Sequence, residues 1–266
     1  MARFDFIFWD GDGTLVDTES LGKEAFMEVG KRFDLNLTSD EFDETTGWSA
    51  KKRYTKMVEE DRFGRTPPSE AKWMQMLKVY QAENQHKITV LPGIPGLLRL
   101  AAANGLRSSL VTNSRKSSSA TKIAALREFE RHLEFRLTAP DPAPEGSPFG
   151  SAFGIIQNPK PHPEGYVKAL NRVGANRTQA VVFEDSKAGV EAAHAAGLKC
   201  VQIQSDPAEF SDKASLRVDS LGNKRDFDKV VAFMGLKYDP AKQAHRDNRI
   251  HKIDQSKPQP VRRLGL

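Results

Sequence analysis

Short apolar segments that end in polar clusters recur along this 266-residue chain. The segments are residues 4–9, 110–111 and 180–183, and they stop at Asp10, Thr112 and Glu184. Runs rich in aromatic and β-branched residues predict buried strands. Amphipathic helix patterns separate them, and strands that alternate with helices are typical of a parallel sheet covered on both faces. We therefore predict an α/β fold with its polar clusters at the carboxyl ends of the strands, where such sheets bind ligands.

Two aspartates, Asp10 and Asp12, follow the first predicted strand. Because side chains alternate along an extended backbone, the two carboxylates should project from the same side. Carboxylates held this close repel, so they need a cation or retain a proton. The pair suits an anionic nucleophile steadied by a divalent metal, beside an acid that gives and retakes a proton. For a lone Asp-x-Asp, an acidic turn would be the alternative interpretation.

Polar residues at the other strand ends suit phosphoryl transfer. The transferred group is strongly anionic, so its site needs a divalent cation, hydrogen-bond donors and a cationic side chain. Asp10 and Asp185 can supply the hard oxygen ligands that Mg²⁺ prefers. Thr112 offers a hydroxyl and Asn113 a backbone amide. Lys160 is a compact charge between two prolines, although alone it could be an exposed loop lysine.

Periodicity and charge divide the chain further. Residues 18–87 carry helical stripes and nothing typical of a strong strand. Residues 237–266 hold eight basic and three acidic residues, which accounts for the whole net charge of +5. With few bulky apolar side chains, this segment is predicted to be a flexible basic tail. No aromatic interleaving or nucleic-acid motif accompanies its charge, so we expect no nucleic-acid partner.

The sequence also bears on location. No apolar stretch approaches the ~20 residues of a membrane span, and the first residues lack the pattern of a signal peptide. The single cysteine, Cys200, lies in a predicted buried strand and has no Cys or His close in sequence. We interpret it as structural, and we expect a cytoplasmic protein with no membrane partner.

Four motifs in order resemble those of the haloacid dehalogenase-like superfamily. They are Asp-x-Asp-Gly-Thr at 10–14, Thr-Asn-Ser at 112–114, Lys-Pro at 160–161 and Glu-Asp-Ser-x-x-Gly-Val-x-Ala-Ala-x-x-Ala-Gly at 184–197. The resemblance covers residues 4 to about 235 and implies a Rossmann-like, doubly wound parallel sheet with an inserted helical cap. The implied core is residues 1–17 and 88–236, the cap is residues 18–87, and residues 237–266 remain a tail. The loop at residues 139–158 is longer than is usual in the family.

The resemblance also implies roles, residue by residue. Asp10 matches the nucleophile that forms an aspartyl-phosphate. Asp12 matches the general acid that protonates the leaving alcohol and that later acts as the base that activates water. Thr112 and Lys160 match phosphate-binding positions, to which we add Asn113. The expected ligands of Mg²⁺ are Asp10, Asp12, Glu184 and Asp185, with Glu184 binding directly or through water. The implied activity is hydrolysis of a small phosphorylated metabolite by a monomer or weak dimer.

Other chemistries of the superfamily fit less well. Dehalogenases need neither the second aspartate nor the metal pair, and phosphonatases typically replace the second aspartate. β-Phosphoglucomutases keep all four motifs but add a His after the first motif and an Arg in the cap loop. Residues 17–22 hold no His, and Ala50 stands where that Arg is expected, although Lys51, Lys52 or Arg53 could substitute.

Two further hypotheses concern the whole chain and its cap. A catalytically idle protein that binds partners through the basic tail is an alternative from a different functional class, but an idle site has no reason to keep four clustered carboxylates.

In the cap, Gly47 permits a sharp turn and Trp48 lies beside basic residues. We predict that this loop faces the active site and helps to select the substrate, with ordinary cap packing of Trp48 as the alternative.

Overall fold

A computed structural model describes residues 3–45, 50–64, 66–119, 132–141 and 156–238. Its strands are β1 (Phe6–Trp9), β2 (Val16–Asp17), β3 (Thr89–Val90), β4 (Arg107–Arg115), β5 (Leu133–Ala139), β6 (Ala180–Glu184), β7 (Lys199–Ile203) and β8 (Leu216–Val218). Six of them form one sheet in the order β5-β4-β1-β6-β7-β8, and each neighbouring pair in it is parallel. β2 and β3 form a separate antiparallel pair.

Helices separate most of these strands. They are α1 (Glu19–Lys31), α2 (Ser39–Asp43), α3 (Ala50–Glu59), α4 (Glu70–Glu83), α5 (Ile94–Ala103), α6 (Glu164–Val173), α7 (Lys187–Ala195) and α8 (Lys224–Met234). Residues 116–119 are also helical, and short 3-10 helices lie at Gln85–Lys87 and Pro207–Glu209. Within the described residues, no helix is long and apolar enough to cross a membrane.

The central sheet is covered on both faces because its middle strands are apolar throughout. Every residue of β1 and β6 is buried. Side chains alternate along β1, so Ile7 and Trp9 pack on one face with α5 and α8, while Phe6 and Phe8 pack on the other with α6 and α7. The predicted α/β fold with a doubly wound parallel sheet is confirmed, and so is the burial of Cys200 in β7.

The helices α1 to α4 build a second apolar cluster of their own. Its buried members include Ala25, Phe26 and Val29 of α1, and Trp73 and Leu77 of α4. These helices follow β2 and precede β3 in the chain. The predicted helical stripes of α1 and α4 are therefore packing surfaces, whereas the boundaries of a cap domain at residues 18–87 stay a prediction.

The structure corrects the sequence interpretation in two places. Thr112–Ser114 do not follow a short strand but lie within β4, which runs on to Arg115 because its backbone continues to pair with β5. β5 itself was not predicted, although Leu133, Phe135 and Leu137 alternate with other residues along it. The hypothesis about Gly47 and Trp48 falls on residues outside the described ranges. So do residues 142–155 of the predicted loop and residues 239–266 of the predicted tail.

Candidate active site

The sheet order brings the polar clusters together. β1 lies between β4 and β6, and all three run in the same direction. Their carboxyl ends therefore meet at one edge of the sheet, as the sequence predicts. The backbone N–H of Asp10 donates to the carbonyl of Phe183, 2.9 Å away, which fixes the end of β1 beside that of β6.

Three carboxylates converge at this edge. One oxygen from each of Asp10, Glu184 and Asp185 lies within 4.8 Å of the others. Asp10 is 8% exposed and Glu184 is fully buried. A cluster of this kind is costly unless cations compensate it, because burial removes the water that would otherwise stabilise each charge.

Lys160 supplies one such cation. Its Nζ donates to Asp10 Oδ1 at 2.5 Å, to Glu184 Oε1 at 2.5 Å and to the carbonyl of Val111 at 2.9 Å. The side chain is only 6% exposed, so the alternative of an exposed loop lysine is wrong. An ammonium group has three donors, and all of them are used inside the protein.

One ammonium does not neutralise the cluster. Burial raises the pKa of Asp10 to about 7, because desolvation and the charge of Glu184 outweigh the attraction of Lys160. Burial and the same neighbouring carboxylates also raise the pKa of Asp185 well above its ordinary value. Burial alone would lower the pKa of Lys160, but Asp10 and Glu184 raise it above its ordinary value. The site therefore favours additional positive charge.

A divalent cation would supply this missing positive charge. Three ionised carboxylates around one ammonium leave two uncompensated negative charges. The available donors are carboxylate oxygens, the hard ligands that Mg²⁺ prefers. Asp10, Glu184 and Asp185 are thus the residues that the structure brings together for a metal.

Asp12, the fourth expected ligand, has a different environment. Its Oδ2 accepts a hydrogen bond from Ser114 Oγ at 2.5 Å, and its side chain is not part of the three-carboxylate group among the described residues. Asp12 instead lines a cleft of about 620 Å³ beside α1 and α4. Its role as a metal ligand stays a prediction, whereas its position suits an acid that faces a leaving group.

The residues that were expected to bind phosphate lie at the same edge. Thr112 is buried, and its Oγ1 accepts the backbone N–H of Ser114 at 3.1 Å. Asn113 has an additional function that the sequence did not indicate, since its Oδ1 accepts the backbone N–H of Lys160 at 3.0 Å. This bond ties the Lys160 segment to β4.

Sequence reasoning missed the residues that hold Glu184. The hydroxyl of Tyr166 donates to Glu184 Oε1 at 2.8 Å, and Ser186 Oγ donates to Oε2 at 3.2 Å. In the sequence Tyr166 fits the apolar stripe of α6, which gives no sign of a polar role. A Cβ added at Gly189 would come within 1.8 Å of the Glu184 carboxyl carbon, so α7 can approach only with glycine there.

Asp185 is held in a similar way. The side-chain amide of Gln202, fully buried in β7, donates to the carbonyl of Asp185 at 2.9 Å. Thr14 Oγ1 lies 3.4 Å from Asp185 Oδ1. Gly13 has φ +73°, and a Cβ there would lie 2.3 Å from Asp185 Oδ2. The glycine of the first motif therefore lets the turn after β1 approach this carboxylate.

Arg53, one of the residues considered for binding a sugar in a mutase, is committed elsewhere. Its guanidinium donates to Thr45 Oγ1 and to the Thr45 carbonyl, each at 2.8 Å. It also lies over the ring of Phe42, 3.9 Å from the centroid. Lys51 pairs with Glu70 at 3.2 Å. These contacts do not favour the mutase alternative.

Comparisons with known proteins agree with this geometry. Residues 4–197 match the family model of the haloacid dehalogenase-like hydrolases. The chain is 29% identical over 219 residues to Protein CbbY of Rhodobacter capsulatus, covering 77% of this chain and 88% of that protein. It is 26% identical over 202 residues to a phosphorylated carbohydrates phosphatase of Thermotoga maritima, covering 73% of this chain and 82% of that protein.

A solved structure shows the same fold. The crystal structure of CbbY from Rhodobacter sphaeroides, in complex with phosphate, superposes with a TM-score of 0.60. The alignment covers 83% of this chain and 96% of the other, at 23% identity.

Proposed function

We propose, since the chain belongs to the haloacid dehalogenase-like hydrolases, that it is a Mg²⁺-dependent phosphatase acting on a small phosphomonoester. The observation that carries this proposal is the buried group of Asp10, Glu184 and Asp185 around the single ammonium of Lys160. Its relatives include a phosphatase of phosphorylated carbohydrates, which supports the same class of substrate.

In the first step, a carboxylate oxygen of Asp10 attacks the phosphorus of the substrate. The bond from phosphorus to the leaving oxygen breaks, and Asp12 gives its proton to that oxygen. The hydrogen bond from Ser114 holds the Asp12 carboxyl group at the cleft, where the alcohol departs. The products are an aspartyl-phosphate on Asp10 and the free alcohol.

In the second step, Asp12 takes a proton from water, and the water oxygen attacks the phosphorus of the aspartyl-phosphate. The bond to Asp10 breaks, which releases inorganic phosphate and regenerates the carboxylate. Asp12 thus donates a proton in the first step and accepts one in the second, because the first step leaves it deprotonated.

The remaining residues bind and orient. Asp10, Glu184 and Asp185 would hold Mg²⁺, and Asp12 remains a candidate ligand. When bound, Mg²⁺ supplies positive charge that stabilises the ionised nucleophile and the phosphoryl oxygens. Lys160, the Thr112 hydroxyl and the Asn113 amide supply further positive charge and donors for the phosphate.

The less specific parts of the proposal concern the rest of the chain. We assign residues 18–87 as a cap that closes over the leaving group, which is consistent with the separate apolar cluster of α1 to α4. A cytoplasmic location and a monomeric or weakly dimeric state also remain predictions. The basic tail is not needed for any step of the mechanism.

An assay with p-nitrophenyl phosphate tests the function. We expect release of p-nitrophenol and phosphate in Mg²⁺ and its loss in excess chelator, with recovery when Mg²⁺ is restored. Activity that is undiminished in chelator would contradict the metal dependence. A purified, folded protein that hydrolyses no phosphomonoester at all would favour the idle binding protein.

A further inference from the structure

The wall of the cleft in front of Asp12 is built from one side of α4. Lys78, Gln81 and Ala82 are spaced at i, i+3 and i+4, and Gln85 continues the row at i+7 in the following 3-10 helix. The row extends over about 10 Å. Trp73 and Leu77 of the same helix are buried in the apolar cluster of α1 to α4, which fixes the helix beside the cleft.

The cleft has the size and chemistry of a binding site for a polar organic group. Its volume of about 620 Å³ lies within the range of small-molecule pockets. Gln81 and Gln85 line it together with Ser117 and Ser118, so both hydrogen-bond donors and acceptors are present. Leu21 and Ile88 add apolar surface. This combination suits a hydroxylated carbon chain about as large as a sugar.

Lys78 distinguishes this cleft from the rest of the helical region. Among the described residues lining the cleft it is the only basic side chain, and Asp12 is the only acidic one. In contrast, Lys23 of α1 pairs with Asp43 and Lys51 of α3 pairs with Glu70. No ion pair of Lys78 is found within the described residues.

We propose that Lys78 binds a second anionic group on the leaving-group side of the substrate, while Gln81 and Gln85 bind its hydroxyls. This inference rests on the proposed phosphatase function and narrows its substrate class. The substrate is then a phosphomonoester of a sugar-sized alcohol that also carries a carboxylate or a second phosphate. A cation that lines a cleft and has no ion pair among the described residues attracts and orients such a group.

Paired substrates test the proposal. Each pair has the same reacting phosphomonoester and differs in the remote anion: 3-phosphoglycerate against glycerol 3-phosphate for a carboxylate, and fructose 1,6-bisphosphate against fructose 1-phosphate for a phosphate. The measurement is the ratio of kcat/KM for the member with the remote anion to that for the member without it. We expect the wild-type ratio to exceed about 10 for at least one pair, and the pair that responds identifies the anion.

The variant Lys78→Met removes the charge and keeps the length of the side chain. We expect it to lower the ratio by about 10- to 100-fold, as loss of a hydrogen bond to a charged group does. Lys78→Glu should lower it further. The matched control is Lys72→Met, the same change on the same helix at a residue that lies over Phe33 instead of lining the cleft. Its ratio should stay within about 3-fold of wild type.

Two results would overturn the inference. One is a wild-type protein that hydrolyses p-nitrophenyl phosphate but prefers neither charged substrate. The other is a ratio that Lys78→Met and Lys72→Met change equally. Both leave the phosphatase function standing, whereas failure to hydrolyse any phosphomonoester would remove that function itself.

Discussion

Two buried aspartates in this molecule have opposite electrostatic environments. Asp226, in α8, is 1% exposed and Asp10, at the end of β1, is 8% exposed. Burial by itself would raise the pKa of both carboxyl groups. For Asp226, hydrogen bonds from Lys229 Nζ (2.9 Å), the Asn223 amide (3.1 Å) and the backbone of Asp219 (2.9 Å) reverse the effect and hold its pKa well below the usual range. For Asp10, the pKa remains raised, at about 7.

The difference separates a carboxylate whose negative charge is compensated from one whose charge is not. Hydrogen-bond donors surround Asp226 and compensate its negative charge. The carboxylate therefore holds the start of α8 against the loop after β8. Asp10 shares its one ammonium with Glu184 and has Asp185 beside it, so its negative charge is undercompensated until a cation or a phosphoryl group arrives. Uncompensated negative charge at the edge of a parallel sheet is therefore typical of a functional site.

The sharpest way to break this comparison is the same substitution at both aspartates. Asp10→Asn should lower kcat by about 10⁴-fold or more while the protein stays folded, because it removes the proposed nucleophile. Asp226→Asn should leave kcat within about 3-fold of wild type and lower the stability by about 2 kcal/mol, because it weakens a buried hydrogen-bond network. Steady-state kinetics and thermal unfolding measure both. Near wild-type turnover by Asp10→Asn would contradict the assignment.

Metal removal is expected to have the next largest effect. Excess chelator should reduce activity by at least about 100-fold, and Mg²⁺ should restore it. Ca²⁺ should support little activity, because it prefers more ligands at longer distances and would misplace Asp10. Mg²⁺ should also raise the melting temperature of wild type but not of Asp185→Asn. Equal activity in Ca²⁺ and Mg²⁺ would show that the site is not selective in this way.

A smaller effect is expected from Tyr166→Phe, which removes only the hydroxyl that orients Glu184. We expect the Mg²⁺ concentration for half-maximal activation to rise about 10-fold. The matched control is Tyr54→Phe, because that hydroxyl donates to the Pro68 carbonyl, away from the site. Tyr54→Phe should change stability without changing the Mg²⁺ dependence. An identical Mg²⁺ response of the two variants would mean that Tyr166 acts through packing alone.

The smallest expected effect is a pH dependence of stability from Asp226. Its pKa is lowered by folding, so its contribution is complete above the usual value of 3.8 and is lost as the pH falls below it. The stability advantage of wild type over Asp226→Asn should therefore be constant near neutral pH and shrink towards pH 3. Denaturant unfolding at several pH values measures it. An advantage that grows in acid would contradict the sign.

Sequence patterns predicted which residues lie together at the carboxyl ends of the central strands. Asp10, Thr112 and Glu184 end apolar runs whose strands lie side by side, and periodicity alone places such residues at one edge of a parallel sheet. The sequence alone left Lys160 open between a phosphate-binding cation and an exposed loop residue, because a lysine in a loop carries no periodic signal. Its burial depends on the Asn113 contact between segments 47 residues apart.

The parts that were missed depend on distant contacts or on weak local signals. Tyr166 fits an apolar helix stripe as well as a phenylalanine would, so only the structure shows its hydroxyl on Glu184. Gln202 is a polar residue in the middle of an apolar strand, which could have suggested a buried partner. β5 escaped prediction because it is an edge strand that alternates imperfectly between buried and partly exposed residues.

The phosphorylated nucleophile is the central claim, and trapping it is the most direct test. Wild-type protein would be mixed with a phosphomonoester and Mg²⁺, quenched within one turnover and reduced with borohydride, which converts an aspartyl-phosphate to homoserine. Peptide mass spectrometry then locates the modified residue, with Asp10→Asn as the control. The account predicts homoserine at position 10 in wild type and none in the variant. Trapping at another residue, or full turnover with no modification at Asp10, would contradict it.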